Sequence, residues 1–292
     1  MFTMATPSAP PLAIETTSLG RHHLTHLGLR RHQALDGVSL QVPAGSVLGL
    51  VGPNGSGKST LLRLLAGVDQ PKSGGLSVLG GSPNSAAIRR RIGYLPENNP
   101  FPAELSARAA LTLMGALDGL GRERLRTDGP RLLEEVGLSA AASLPLGRFS
   151  RGMGRRFGLA QAWLGEPDLL LLDEATAGLD AEGFAVLERL LARAQARGAT
   201  VVMASHLLSD ILEHCDRVAV LVAGRLVATG QTAEILGTAG RRRLDVTGLC
   251  ERDLADLDNW LAERGGRLVG QGPAGRPLVD LFQAAPGPTG KR

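Results

Sequence analysis

Lysine is scarce in this chain. Lys58, Lys72 and Lys291 are the only ones, so arginine supplies nearly all the positive charge behind a formal net charge of +4. The arginines stand in short clusters, Arg89-Arg90-Arg91 and Arg241-Arg242-Arg243, and aromatic residues make up only 3% of the chain. Without aromatics interleaved among the cations there is no platform on which bases could stack, so no nucleic acid is expected as a partner. Cysteine is nearly absent. Cys215 and Cys250 are too few and too far apart for a disulfide framework or a zinc site, and a reducing compartment is expected. No apolar run approaches the about 18–20 residues that cross a bilayer, and the stretch 169–172 is closed at once by Asp173 and Glu174. Residues 1–11 are small and Pro-rich, without the charged and apolar regions of a signal peptide, so residues 1–12 read as a disordered tail of a cytoplasmic protein.

What is present points to a globular α/β chain. Hydrophobic residues make up 43% and charged residues 21%, enough to bury a core. Short apolar runs at 47–51, 169–172, 200–204 and 218–222 read as strands and alternate with longer amphipathic stretches, the pattern of a mainly parallel sheet. Between the first two lies an insert, roughly 98–163, rich in Ala, Leu and Arg at helical spacing, which reads as a helical subdomain. Leu187, Leu190, Leu191 and Ala194 repeat at helical spacing and predict a helix covering one face of the sheet. Near 230–240 the pattern loosens. The expected organisation is a module over 13–235 and a small C-terminal region over 236–292, with a strand-helix-strand appendix at 243–282.

Three local features carry chemistry. Gly52-Pro53-Asn54-Gly55-Ser56-Gly57-Lys58-Ser59 follows the strand at 47–51 and opens the apolar helical run at 61–65, the context of a phosphate-binding loop. Its glycines let backbone N–H groups converge on phosphates, Lys58 adds charge, Ser59 can hold Mg²⁺, and the following helix start, with Thr60, adds a positive dipole end. The strand at 169–172 ends in Asp173 and Glu174, at the carboxyl edge of the sheet where α/β folds bind ligands. Asp173 is expected in the Mg²⁺ shell, and Glu174 is placed to orient or deprotonate an attacking water. His206 follows the strand at 200–204 on the same edge, within reach of a terminal phosphate or that water. No second phosphate-binding motif occurs, so the chain carries one nucleotide module.

Together with Phe149-Ser150-Arg151-Gly152-Met153 and Ala177-Gly178-Leu179-Asp180, these motifs resemble the ATP-binding-cassette (ABC) ATPases over about 14–230. The resemblance implies a P-loop NTPase fold with an N-terminal antiparallel β-subdomain beside the mainly parallel core, the inserted helical subdomain and the C-terminal appendix. It implies ATP bound at residues 54–60 (Asn54, Gly55, Ser56, Gly57, Lys58, Ser59, Thr60), with Mg²⁺ held by Ser59, Glu97 and Asp173, and Glu174 and His206 as the catalytic pair. It further implies that Ser150, Gly152 and Met153 face the nucleotide of a second subunit, most simply another copy of this chain, with Asp180 at the seam. Glu97 stands where most members place a glutamine that touches Mg²⁺ and senses the membrane partner. Gly93-Tyr94-Leu95-Pro96-Glu97 with Ser150-Arg151-Gly152-Met153 is similar to the ABC-2 exporter branch, including gliding-motility and copper-site maturation ATPases. That branch implies separate membrane permease subunits and a peripheral place on the cytoplasmic face of the membrane. A soluble family ATPase acting on ribosome or DNA is the alternative. Leu27 stands where the family's adenine-stacking aromatic precedes Gly28, with His22, His23, His26 and His32 nearby. Residues 98–113 are read as the groove for a permease helix, or as an ordinary helical surface. The segment 277–282 is similar to a closing helix of the branch, or is plain packing.

Overall fold

The computed structural model describes residues 10–25, 30–98, 101–237 and 260. The expected tail up to residue 9, Leu27 with His26, and the expected appendix at 243–282 apart from Trp260 lie outside the described residues.

Two long strands come first, β1 (Leu12–Thr25) and β2 (Arg30–Pro43), paired antiparallel. β1 therefore begins at the last residue of the segment read as a tail. Along β2, Val38, Leu40 and Val42 are buried while Ser39 and Gln41 are exposed, the alternation of a strand with one wet face. The chain then passes through β3 (Val47–Val51) and α1 (Lys58–Leu65) before β4 (Ser73–Val78) returns to the free edge of β1, completing a sheet of order β2-β1-β4. This is the antiparallel β-subdomain.

Next come α2 (Ala86–Arg89) and β5 (Ile92–Leu95), then the helices α3 (Ala107–Leu117), α4 (Arg122–Glu135) and α5 (Arg151–Trp163) within the stretch read as helical. The remainder runs β6 (Leu169–Asp173), α6 (Ala181–Ala196), β7 (Thr200–Ser205), α7 (Leu208–His214), β8 (Arg217–Val222), β9 (Arg225–Gln231) and α8 (Thr232–Ile235). The second sheet has the order β5-β6-β7-β3-β8-β9 and is parallel except for β9, which pairs antiparallel with β8.

β3, β6 and β7 are buried at every position, as the apolar runs require of strands covered on both faces. Alternate residues feed two separate cores. Leu48, Leu50, Leu169, Leu171, Val202 and Ala204 pack with α1 and the β2-β1-β4 sheet. Val47, Val51, Leu170, Leu172, Val201 and Met203 pack with Phe157 and Trp163 of α5 and Leu187, Leu190 and Leu191 of α6. Gly93 decides how closely α5 lies on the sheet. A Cβ there would stand 1.9 Å from the Ala162 carbonyl oxygen, so only glycine lets the helix backbone rest on β5.

Candidate functional site

The loop between β3 and α1 is built by its glycines. Gly57 has φ 105°, and a Cβ there would lie 2.5 Å from the Ala34 carbonyl oxygen, so both conformation and space demand glycine. Gly57 is also the residue that caps α1, and it offers no side chain to the first-turn N–H groups, which carry no acidic neighbour either. Those donors and the helix dipole are therefore open to an anion. The far side of the loop is clamped. Gly224 N–H donates to the Ser56 carbonyl at 3.0 Å and Asp36 N–H to the Gly224 carbonyl at 2.8 Å, joining the loop to β2 and to the β8–β9 turn. Lys58 is the first residue of α1 itself, three residues before the predicted helical run. Its ammonium donates to the carbonyls of Gly52 at 2.8 Å and Pro53 at 3.2 Å, and burial lowers its pKa against the opposing pull of Glu174, Asp173 and Glu97. Ser56 Oγ is buried without a hydrogen-bond partner. Asn54 and Gly55 are exposed, and Ser59 and Thr60 are half-buried.

Asp173 ends β6 in a dry setting, 1% exposed. Burial pushes its carboxyl up to about 6, opposed by a hydrogen bond from Ser59 and reinforced by the charges of Glu97 and Glu174. Its Oδ1 is buried without a hydrogen-bond partner. A desolvated carboxylate with an open oxygen, a hydroxyl on the same group and a second acid within electrostatic range fits a hard divalent cation. No cluster of three or more His, Cys, Asp or Glu side chains that could hold a metal occurs among the described residues. Of the hard divalent cations, Mg²⁺ takes one or two carboxylates and fills its remaining positions with water and substrate phosphate.

Glu174 sits one residue on with φ 49°, in the left-handed region that a glutamate enters at a cost of about 1–3 kcal/mol. Its amide still donates to the Ala204 carbonyl at 2.9 Å, so the chain leaves the sheet only after this residue. His206 Nδ1 donates to Glu174 Oε2 at 2.7 Å, with the carboxylate side chain 11% exposed and the imidazole 53% exposed. The histidine thus meets the acid directly and presents its other ring nitrogen away from that bond. Asp210 ties this corner together. It accepts from Thr176 Oγ1 at 2.7 Å and Ser205 Oγ at 2.9 Å, and Ser205 Oγ in turn accepts from Leu207 N–H at 3.0 Å.

Ser150 is the exposed N-cap of α5, and its hydroxyl accepts from Met153 N–H at 3.2 Å. Asp180 caps α6 in the same way, accepting from Gly183 N–H at 2.8 Å. The two caps are neighbours: a Cβ on Gly152 would lie 3.3 Å from Asp180 Oδ2. No hydrogen bond or ion pair among the described residues joins 150–153 to the loop at 52–60. One chain therefore brings Lys58, Ser59, Glu97, Asp173, Glu174 and His206 together, and among the described residues bonds none of Ser150, Gly152, Met153 and Asp180 to the phosphate loop.

Two participants were not read from the sequence, Asp210 and Arg155. Asp210 had a faint signal, an acid in the first turn of the helix after His206. Arg155 had none, standing beside Arg156 in an arginine-rich helix whose two arginines look alike until the chain is folded.

The chain matches the family described as ABC transporter over residues 35–177. It is 37% identical over 265 residues to an uncharacterised ABC transporter ATP-binding protein of Nostoc sp., a match that spans 89% of this chain and 78% of that protein. It is 37% identical over 216 residues to the daunorubicin resistance ATP-binding protein DrrA3 of Streptomyces coeruleorubidus, spanning 73% of this chain and 68% of the relative. The solved structure of the ATP-binding subunit of an ABC transporter superposes with a TM-score of 0.70 at 28% identity, over 84% of this chain and 98% of that one.

Proposed function

The chain belongs to the ABC transporter ATP-binding family and is an ATPase, and from that premise we propose that it drives a separate membrane permease, as the nucleotide-binding subunit of an ABC-2 type exporter. In this reading two subunits close on ATP, and hydrolysis reopens them. The observation that carries it is the division of the functional groups. The loop, the acids and His206 gather on one sheet edge, while the exposed Ser150 end of α5 bonds to none of them. Groups parted in this way become one site when a second copy, arranged head to tail, brings its Ser150, Gly152 and Met153 to the phosphates held at 54–60, with Asp180 at the seam.

Within each site, Lys58 and the loop amides would hold the phosphates and offset their charge. Ser59, Asp173 and Glu97 would hold Mg²⁺, which when bound with the nucleotide supplies charge neutralisation across the phosphates. Glu174 would orient the attacking water and take its proton, while His206 keeps the carboxylate aimed. Export is supported by the sequence at 93–97 and 150–153. It is supported also by the likeness to the daunorubicin resistance ATP-binding protein. No helix among the described residues is long and apolar enough to cross a membrane, and this reading assigns the crossing to the permease, with the chain on its cytoplasmic face. A groove of about 440 Å³ between α3 and α4, bordered by Arg108, Thr112, Leu120 and Arg122 and flanked by the exposed Leu113 and Leu117, is the surface assigned to that contact.

Comparison of wild type with Glu174→Gln tests the reading. Turnover is expected to fall by about 100-fold or more, the scale of a lost general base, while light scattering detects an ATP-dependent dimer that accumulates only in the variant. Turnover at the wild-type rate would overturn the role of Glu174. An inactive variant that binds ATP and never pairs would overturn the dimer of identical subunits.

A further inference from the structure

Arg155 is 5% exposed, yet no carboxylate lies within ion-pair distance of it among the described residues. Its guanidinium bonds instead to four main-chain oxygens. Nη1 donates to the carbonyls of Pro96 at 2.7 Å and Glu97 at 3.1 Å, and Nη2 to those of Asp173 at 2.5 Å and Glu174 at 2.6 Å. Those carbonyls lie at the ends of two adjacent parallel strands, β5 and β6, and three of them belong to the residues assigned to the cation and the attacking water. The neighbouring Arg156 bonds elsewhere, to the Val136 carbonyl at 3.0 Å and to Glu182 at 2.8 Å, so packing against α5 alone does not explain the placement of Arg155.

Burying a guanidinium costs free energy, and a neutral side chain would pack here without that cost. What a neutral or single-point donor lacks is the planar fork, whose fixed geometry spans two strand ends at once. The helix that carries the fork is the one whose N-cap is Ser150. Gly93, by letting α5 lie directly on β5, makes that helix a stiff connection rather than a loose cover.

We propose that Arg155 is a positioning residue that joins the two halves of the shared site. Through its fork, α5 holds the backbone of Glu97, Asp173 and Glu174 in register with the Ser150 end of the same helix. Engagement of Ser150 by the partner's nucleotide then sets the geometry of this chain's own acids. The inference rests on the shared-site reading above. Displacements well under 1 Å matter at such a site, since a 1 Å error in placement costs about 100-fold in rate.

The test uses the full chain with Arg155→Lys, Arg155→Gln, Ser150→Ala and the double variant Ser150→Ala with Arg155→Lys, each followed by thermal melting and ATPase kinetics. Both Arg155 variants should keep KM for ATP within about threefold of wild type, because Arg155 makes no bond to 52–60, and lose about 10- to 100-fold in kcat. Arg155→Lys should not rescue, because it keeps the charge and loses the fork. Wild-type kcat in the lysine variant would overturn the proposal. The double variant should be no slower than the slower single variant, because both changes break one connection, whereas effects on kcat that multiply would overturn the relay. Should the Arg155 variants fail to fold, hydrogen exchange in the ATP-bound Glu174→Gln dimer serves instead. Protection of the Leu95 and Glu97 amides should drop when Ser150→Ala is added, and unchanged protection overturns the relay. If Glu174→Gln forms no ATP-bound dimer, the shared-site reading has failed. If it pairs normally while the Ser150 and Arg155 effects multiply, only the relay has failed.

Discussion

Glu166, in the turn after α5, and Asp173, at the end of β6, are both carboxylates set among cations, and they are treated in opposite ways. Glu166 pairs with Arg193 and stands 3.6 Å from Arg131, 3.7 Å from Arg197 and 4.0 Å from Arg124, with its side chain 27% exposed. Arg193 and Arg197 also lie over the Trp163 ring, at 5.4 Å and 5.9 Å from its centroid. Charge there is matched several times over, partly in water, and the result is a clasp between α4, α5 and α6. Asp173 is dry, has one oxygen without a partner, and shares its surroundings with two more acids, while Lys58 and Arg155 spend their hydrogen bonds on backbone carbonyls. A carboxylate answered several times over, as Glu166 is, contributes to the fold. A buried carboxylate oxygen left without a partner among other acids, as Asp173 Oδ1 is, stays open to a cation.

The largest effect is expected at Lys58. Lys58→Ala should lower ATP turnover by about 100-fold or more, since a preorganised charge on the phosphates is lost, while the nucleotide-free protein melts no lower than wild type because a desolvated ammonium has been removed. Turnover assays and melting curves decide this, and a variant that stays active would end the contrast at once.

Asp173→Asn gives a sharper and intermediate test. The folded carboxyl titrates at about 6 against an ordinary value of 3.8, so the folded state holds its proton more tightly than the unfolded chain. Stability should therefore fall as pH rises from about 4 to about 6 and stay at the lower level above it. Without nucleotide or Mg²⁺, the asparagine variant should melt above wild type at pH 7.5 and lose that advantage at pH 4.5. Mg-ATP should then raise the melting temperature of wild type more than that of the variant. An advantage equal at both pH values would mean that the carboxyl is not strained by burial.

Glu166→Gln should have the smallest effect. Loss of the clasp should cost about 1 kcal/mol, or about 2–4 °C in melting temperature, and leave turnover within about twofold of wild type. A large loss of turnover would show that the clasp reaches the site.

The legible parts of the site were those written in consecutive residues. The loop at 52–60 and the pair Asp173-Glu174 could be read because a strand, a turn and a helix start follow one another in the chain, and the chemistry sits at the junction. The strands at 47–51, 169–172, 200–204 and 218–222 were legible for a related reason, since a strand covered on both faces must be apolar throughout. β1 and β4 were harder to read individually. β1 shifts register at several points along β2, and β4 carries Gly74 and Gly75 directly after its first residue, so neither keeps a clean alternation. Asp210 and Arg155 were hard or impossible to read because their partners are remote: Asp210 accepts from Thr176, and Arg155 bonds to carbonyls just past β5 and at the end of β6.

The sequence by itself determined where the glycine loop meets the start of α1 and which acids end β6, because glycine conformation and strand ends act over a few residues. Only the tertiary structure decided that His206 leans on Glu174, and that Arg155 rather than Arg156 spans the two strand ends. The first depends on the pairing of β6 with β7 and the second on how closely α5 lies on β5, and both are set by contacts between segments the chain keeps far apart.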